Sequence, residues 1–97
     1  MTAPQSTGTL TTYDQHGVPE AGVEIHLRVV SAGGTMGLAL DSSVRTVLSD
    51  EEGEVEVPNL FVSVHYRIWR GDDARGALRF VVPAGETFAL PSAVGKP

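Results

Sequence analysis

Period-two alternation dominates the chain. Residues 22–30 place Val23, Ile25, Leu27 and Val29 on one face, with Glu24, His26 and Arg28 on the other. Residues 54–57 set Val55 and Val57 against Glu54 and Glu56, and residues 62–70 set Val62, Val64, Tyr66 and Ile68 against Ser63, His65, Arg67 and Trp69. Such alternation suits strands packed on one face and wet on the other. Weaker strand patterns fall at 8–13, 44–49, 77–82 and 86–90, with a short one at 36–40.

Turn chemistry separates these runs. Asp14-Gln15-His16-Gly17, Asp50-Glu51-Glu52-Gly53, Gly71-Asp72-Asp73 and Pro83-Ala84-Gly85 all sit between strand patterns. Asp opens such turns by accepting from nearby backbone N–H groups, and Gly takes the positive φ near their ends. With 11 Gly and 6 Pro, no window reads as an uninterrupted amphipathic helix. Short strands with evenly spaced turns predict an all-β sandwich or barrel.

Length and composition narrow this further. Ninety-seven residues make one domain, and 41% apolar content is that of a chain that folds. The pattern predicts an N-terminal arm at 1–7, one domain at 8–90 and a C-terminal tail at 91–97. Residues 31–43 form a Gly-rich flap that offers Met36, Leu38 and Leu40 for packing. There are no cysteines, so disulfides, thiol nucleophiles and thiolate metal sites are excluded. The first residues have neither a basic nor an apolar signal region, and no apolar run approaches the ~20 residues of a membrane span. No signal peptide and no membrane insertion are therefore expected.

The net charge of -5 argues against nucleic acid as a partner. The charges are segregated. Asp50, Glu51, Glu52, Glu54 and Glu56 lie together, and Arg67, Arg70, Arg75 and Arg79 follow. Six of the seven cations are Arg, the side chain suited to planar, directional contacts.

Two blocks carry a resemblance. The first is Gly8-x-Leu10 with Asp14-x-x-Gly17-x-Pro19-x-Ala21-Gly22-Val23-x-Ile25-x-Leu27. The second is Leu48-Ser49-Asp50-x-x-Gly53-x-Val55-x-Val57-x-Asn59-Leu60 and the strand through Tyr66. Together they cover about half the chain, and they resemble the carboxypeptidase regulatory-like, or transthyretin-like (prealbumin-like), domains. The resemblance implies a seven- to eight-stranded antiparallel Greek-key β-sandwich, transthyretin-like or immunoglobulin-like. Family members usually carry a Gly shortly after the Asn-Leu pair. Phe61-Val62-Ser63 stands there instead, so the turn must differ.

The family is mostly non-enzymatic, with modules beside peptidase domains, on bacterial surfaces, in outer-membrane receptors and in phage structural proteins. Its hydroxyisourate hydrolase branch ends in Tyr-Arg-Gly-Ser and uses an N-terminal His. This chain ends Ala93-Val94-Gly95-Lys96-Pro97 and has no His before His16, so that activity is not carried over.

No catalytic or metal constellation emerges from the residues themselves. His16, His26 and His65 form no H-x-H or H-x-x-x-H pair. The acidic turn lacks the twelve-residue ligand spacing of an EF-hand, and no Ser stands in a G-x-S-x-G elbow. Gly33-Gly34-Thr35-Met36-Gly37 lacks the Lys-Ser/Thr ending of a phosphate loop. Glu54 and Glu56, about 6–7 Å apart on one strand face, read as solvated strand charges more simply than as a glycosidase pair. No enzyme, cofactor or metal is expected.

The suggestive residues are His65, Arg67 and Trp69 on one outward face, with Phe61 and Val62 in the turn before it and Met36 and Leu38 in the flap. An exposed Trp beside Arg is the composition of an interface hot spot. A register slip of one residue would instead send Trp69 into the core. The expected role is a non-catalytic structural or protein-interaction module, such as an accessory or decoration protein of a phage head or tail. Its partner would be another protein or further copies of itself. The alternative is a carbohydrate-binding sandwich, with Trp69, Tyr13 or Tyr66 stacking on a glycan.

Overall fold

A computed structural model describes residues 4–31 and 44–97. Seven strands are present among these residues: β1 (Gln5–Thr11), β2 (Glu24–Ser31), β3 (Arg45–Leu48), β4 (Glu54–Phe61), β5 (His65–Arg70), β6 (Leu78–Val81) and β7 (Thr87–Ala89). They form two sheets, ordered β4-β1-β7 and β3-β2-β5-β6. The pairs are antiparallel except β1 with β7, which run parallel. The chain is an all-β sandwich with no α-helix among the described residues, only short 3₁₀ turns at Ala74–Gly76 and Ser92–Gly95.

The alternating apolar positions fill the space between the sheets. Ile25 and Leu27 of β2, Val55, Val57 and Leu60 of β4, Val64, and Ile68 of β5 are all at most 1% exposed. Tyr66, Val82, Leu90 and Val94 complete the core. Ile68 is fully buried while Trp69 lies on the other face, so the register is the one the alternation predicts.

The two Asp-x-x-Gly turns are built alike. Asp14 Oδ1 accepts from the backbone N–H of His16 and Val18, and Asp50 Oδ1 accepts from that of Glu52 and Glu54. Gly17 and Gly53 take φ of 77° and 80° at the turn ends. At Gly53 the lack of a side chain also matters for space, because a Cβ there would meet Pro19 and the Thr12 carbonyl at 2.9 Å.

Four boundaries differ from the sequence pattern. First, the strand read at 54–57 runs on to Phe61 through a bulge. Val57 faces Gly8 but Leu60 faces Ser6, so Pro58 and Asn59 together oppose Thr7. Asn59 adopts φ 62°, and the inward phase changes from odd to even residues. Second, β5 begins at His65, not at residue 62. Val62 and Ser63 form the preceding turn, where Ser63 takes the left-handed φ of 67° that a glycine would otherwise supply.

Third, the N-terminal arm is shorter than 1–7. Residues 5–7 belong to β1, with Gln5 facing Phe61, and the Pro4 carbonyl accepts from Val62 N–H. The inward positions there are Ser6 and Gly8, which hide the alternation. Fourth, the C-terminal tail read at 91–97 is docked at Val94 and Gly95. Val94 is 6% exposed, and Tyr13 N–H donates to the Gly95 carbonyl at 2.7 Å. Small residues permit this approach: a Cβ on Gly95 would collide with the Thr11 carbonyl. The expected short strand at 36–40 and the flap at 31–43 lie outside the described residues, apart from Ser31, the last residue of β2.

Candidate interaction faces

The outer face of the four-stranded sheet is shaped by register. Arg28 of β2 faces Arg67 of β5, and Arg67 faces Arg79 of β6. Three exposed arginines therefore stand side by side in one row across adjacent strands, with strand spacing of about 4.8 Å. Like charges directly opposite one another destabilise a sheet. The two ion pairs found among the described residues, His26 with Glu24 and Arg70 with Glu20, include none of the three. Arg67 donates to the Ala74 carbonyl at 3.2 Å, an uncharged acceptor.

The neighbouring row is aromatic. His26 faces Trp69 across β2 and β5, with ring centroids 5.6 Å apart and planes 30° from parallel. His26 Nδ1 hydrogen-bonds Thr46 Oγ1 of β3 at 2.8 Å, while Nε2 lies 3.6 Å from Glu24. These contacts hold the imidazole as a support for the half-buried indole. On the other side of the arginine row, His65 faces Val81, which is 49% exposed, near the 39% exposed Val30. The face is thus a cationic stripe between an aromatic pair and an apolar margin.

The opposite surface of the sandwich is different in kind. Thr9 and Thr11 of β1 face Glu56 and Glu54 of β4 on the outside of the three-stranded sheet. With Asp50, Tyr13, Ala89, Ser92 and Lys96 they line an open trough of about 630 Å³. Its lining includes the small side chains of Thr9, Thr11, Ala89 and Ser92, and three carboxylates, Asp50, Glu54 and Glu56, against one cation, Lys96. The two sheets therefore turn opposite charges to opposite sides.

Of the residues singled out from sequence, His65, Arg67 and Trp69 share the outer face of β5. Phe61 and Val62 pack instead on the rim of the core. Phe61 N–H donates to the Tyr66 hydroxyl at 3.2 Å, which ties the turn to β5. Met36 and Leu38 lie outside the described residues. Arg28, Arg79 and His26 complete the face and were not singled out. Alternation places Arg28 and His26 on a polar face, but the pairing of β2 with β5 across some forty residues is not readable from spacing. Among the described residues no group of three His, Asp or Glu side chains is gathered as a metal would need.

No protein-family model matches the chain, and none of the curated proteins matches it. Among solved structures it is similar to BcpA, the major pilin subunit of Bacillus cereus, with TM-score 0.61 and 16% identity. That match covers 90% of this chain and 29% of the pilin. A single-site variant of the same pilin matches at TM-score 0.60, 15% identity, and 89% and 28% coverage. The dioxygenase domain of a dioxygenase and carbohydrate-binding protein fusion from Streptomyces sp. SirexAA-E matches at TM-score 0.51 and 13% identity. It is covered over 55% of its length by 84% of this chain. At these identities the likeness is one of fold, and the chain spans less than a third of the pilin's length.

Proposed function

We propose that this sandwich is a non-catalytic structural module, of the transthyretin-like kind, that works by contacting protein through the outer face of β3-β2-β5-β6. The observation that carries this reading is the Arg28–Arg67–Arg79 row beside Trp69. Its composition is that of protein interfaces, where Arg and Trp concentrate the binding energy. Among the described residues no carboxylate pairs with the row, and such a stripe of charge calls for an acidic counterpart. The pilin likeness supports a structural role for a fold of this shape. A decoration protein of a phage head or tail is one such role, and a repeating unit of a surface fibre is another. Sugar recognition is the weaker reading. Trp69 is half-buried in a tilted pair with His26, and Tyr66 is 6% exposed and stacks on Phe80 with centroids 5.7 Å apart, so neither ring is set in a flat open platform.

An NMR titration separates these readings. Hexaglutamate, as a stand-in for an acidic protein surface, is expected to shift the amides of Arg28, Arg67 and Arg79 and the Trp69 indole. The shifts should fade at high salt, since exposed charges are screened within a Debye length of about 8–10 Å. Neutral oligosaccharides should leave the same signals in place. Shifts of Trp69 with a neutral sugar, and none with hexaglutamate, would overturn the proposal in favour of a carbohydrate-binding module.

A further inference from the structure

Resting on that reading, we infer that the acidic surface met by the arginine row is the trough of a second copy of this chain. Both halves of the contact are present on one molecule. Arg28, Arg67 and Arg79 project from one sheet, and Glu54, Glu56 and Asp50 rim a concavity on the other. A projecting cationic row and a recessed acidic trough complement each other in shape as well as charge.

The spacing also defines how they meet. The arginines run across strands at about 4.8 Å intervals, whereas Glu54 and Glu56 run along one strand about 6.8 Å apart. Matching row to column requires the two sheets to cross near a right angle, which is one of the two common ways that sheets pack. Long guanidinium stems absorb the remaining 2 Å or so of mismatch in spacing. Small residues in the trough lining, Thr9, Thr11 and Ala89, leave room for those stems. Lys96, next to the 3₁₀ turn docked on Tyr13, is the one cation lining the trough.

Because the two surfaces lie on opposite sides of the sandwich, the contact is heterologous. Each copy that joins exposes the same unused trough or row, so association continues as an open chain instead of closing at a dimer.

The test is sedimentation velocity on the whole chain at low and high salt. Wild type is expected to gain mass over about a hundredfold rise in concentration at low salt and to return to monomer at high salt. Arg67→Glu and Glu56→Arg change exposed positions, and melting curves close to wild type would confirm that both fold. Each variant alone should remain monomeric. An equimolar mixture should regain mass above the monomer, because the intact trough of one variant accepts the intact row of the other. A contact between like faces would show no such rescue.

Association that persists in both single variants, or a mixture that stays monomeric, would overturn this pairing of faces. A wild-type monomer at every concentration would overturn it too. If hexaglutamate still shifts the arginine face of that monomer, the face belongs to an acidic surface on a different protein. The function proposed above then stands while self-docking falls.

Discussion

Replacing Ile68 with alanine is expected to destabilise the protein by about 3–5 kcal/mol, the upper part of the range for a buried aliphatic side chain. Ile68 is fully buried at the centre of the β2-β5-β6 ladder, facing Leu27 on one side and Leu78 on the other. Strands paired on both edges cannot move in to fill the space. Lost burial and an unfilled cavity therefore add together. Arg67→Ala, one residue earlier and on the outer face, should change stability by no more than about 0.5 kcal/mol. Denaturant midpoints measure both. The reverse ranking would mean that the two faces of β5 are interchanged.

The second large effect centres on Arg70. Its Nη1 donates to the carbonyls of Tyr13 and Gly95, each at 2.8 Å, and its Nη2 pairs with Glu20 at 3.0 Å. One guanidinium thus ties together the end of β5, the β1–β2 connection and the C-terminal 3₁₀ turn. Arg70→Met keeps the apolar stem and removes the donors. It should cost about 2–3 kcal/mol, since hydrogen bonds to charged groups are the stronger kind and the part-buried Tyr13 carbonyl loses its donor, while the Gly95 carbonyl keeps only the Tyr13 N–H. Glu20→Gln should cost less than about 0.5 kcal/mol, because its side chain is 46% exposed and a surface ion pair contributes little. Denaturant melts test the ranking. Limited proteolysis should show residues 91–97 cleaved in the Arg70 variant and protected in wild type. Equal losses in the two variants would mean that the ion pair, not the carbonyl latch, holds the segment.

These two sites mark what was legible in the chain. Ile68 belongs to a clean period-two run, so its burial and the outward position of Trp69 follow from alternation alone. The Asp-x-x-Gly turns were equally readable, because their hydrogen bonds are local. Arg70 was not readable as a latch, since its partners lie 57 and 25 residues away. The early start of β1 was concealed by Ser6 and Gly8 at inward positions. Gly8 leaves room there for Leu90, whose nearest atom lies 2.7 Å from where a Cβ would stand. The docked C-terminus was hidden for a related reason: the small residues that suggest a loose tail also allow close backbone approach.

The candidate face shows the same division. Each arginine was visible as a polar position on its own strand. The row exists only because β2 and β6 flank β5, and such non-local pairing leaves no trace in residue spacing. The segregation of acid from base along the sequence was a real signal, and the sandwich turns it into two opposed surfaces.

The most direct test of the arginine row as the contact face is its chemical reactivity. Phenylglyoxal modification, read residue by residue by mass spectrometry, should be compared at low and high protein concentration. Arg28, Arg67 and Arg79 should react readily in dilute solution and become protected together as copies associate, while Arg75 on its exposed turn stays reactive throughout. If the three arginines react at the same rate at both concentrations, the row is not the face through which copies of this protein assemble.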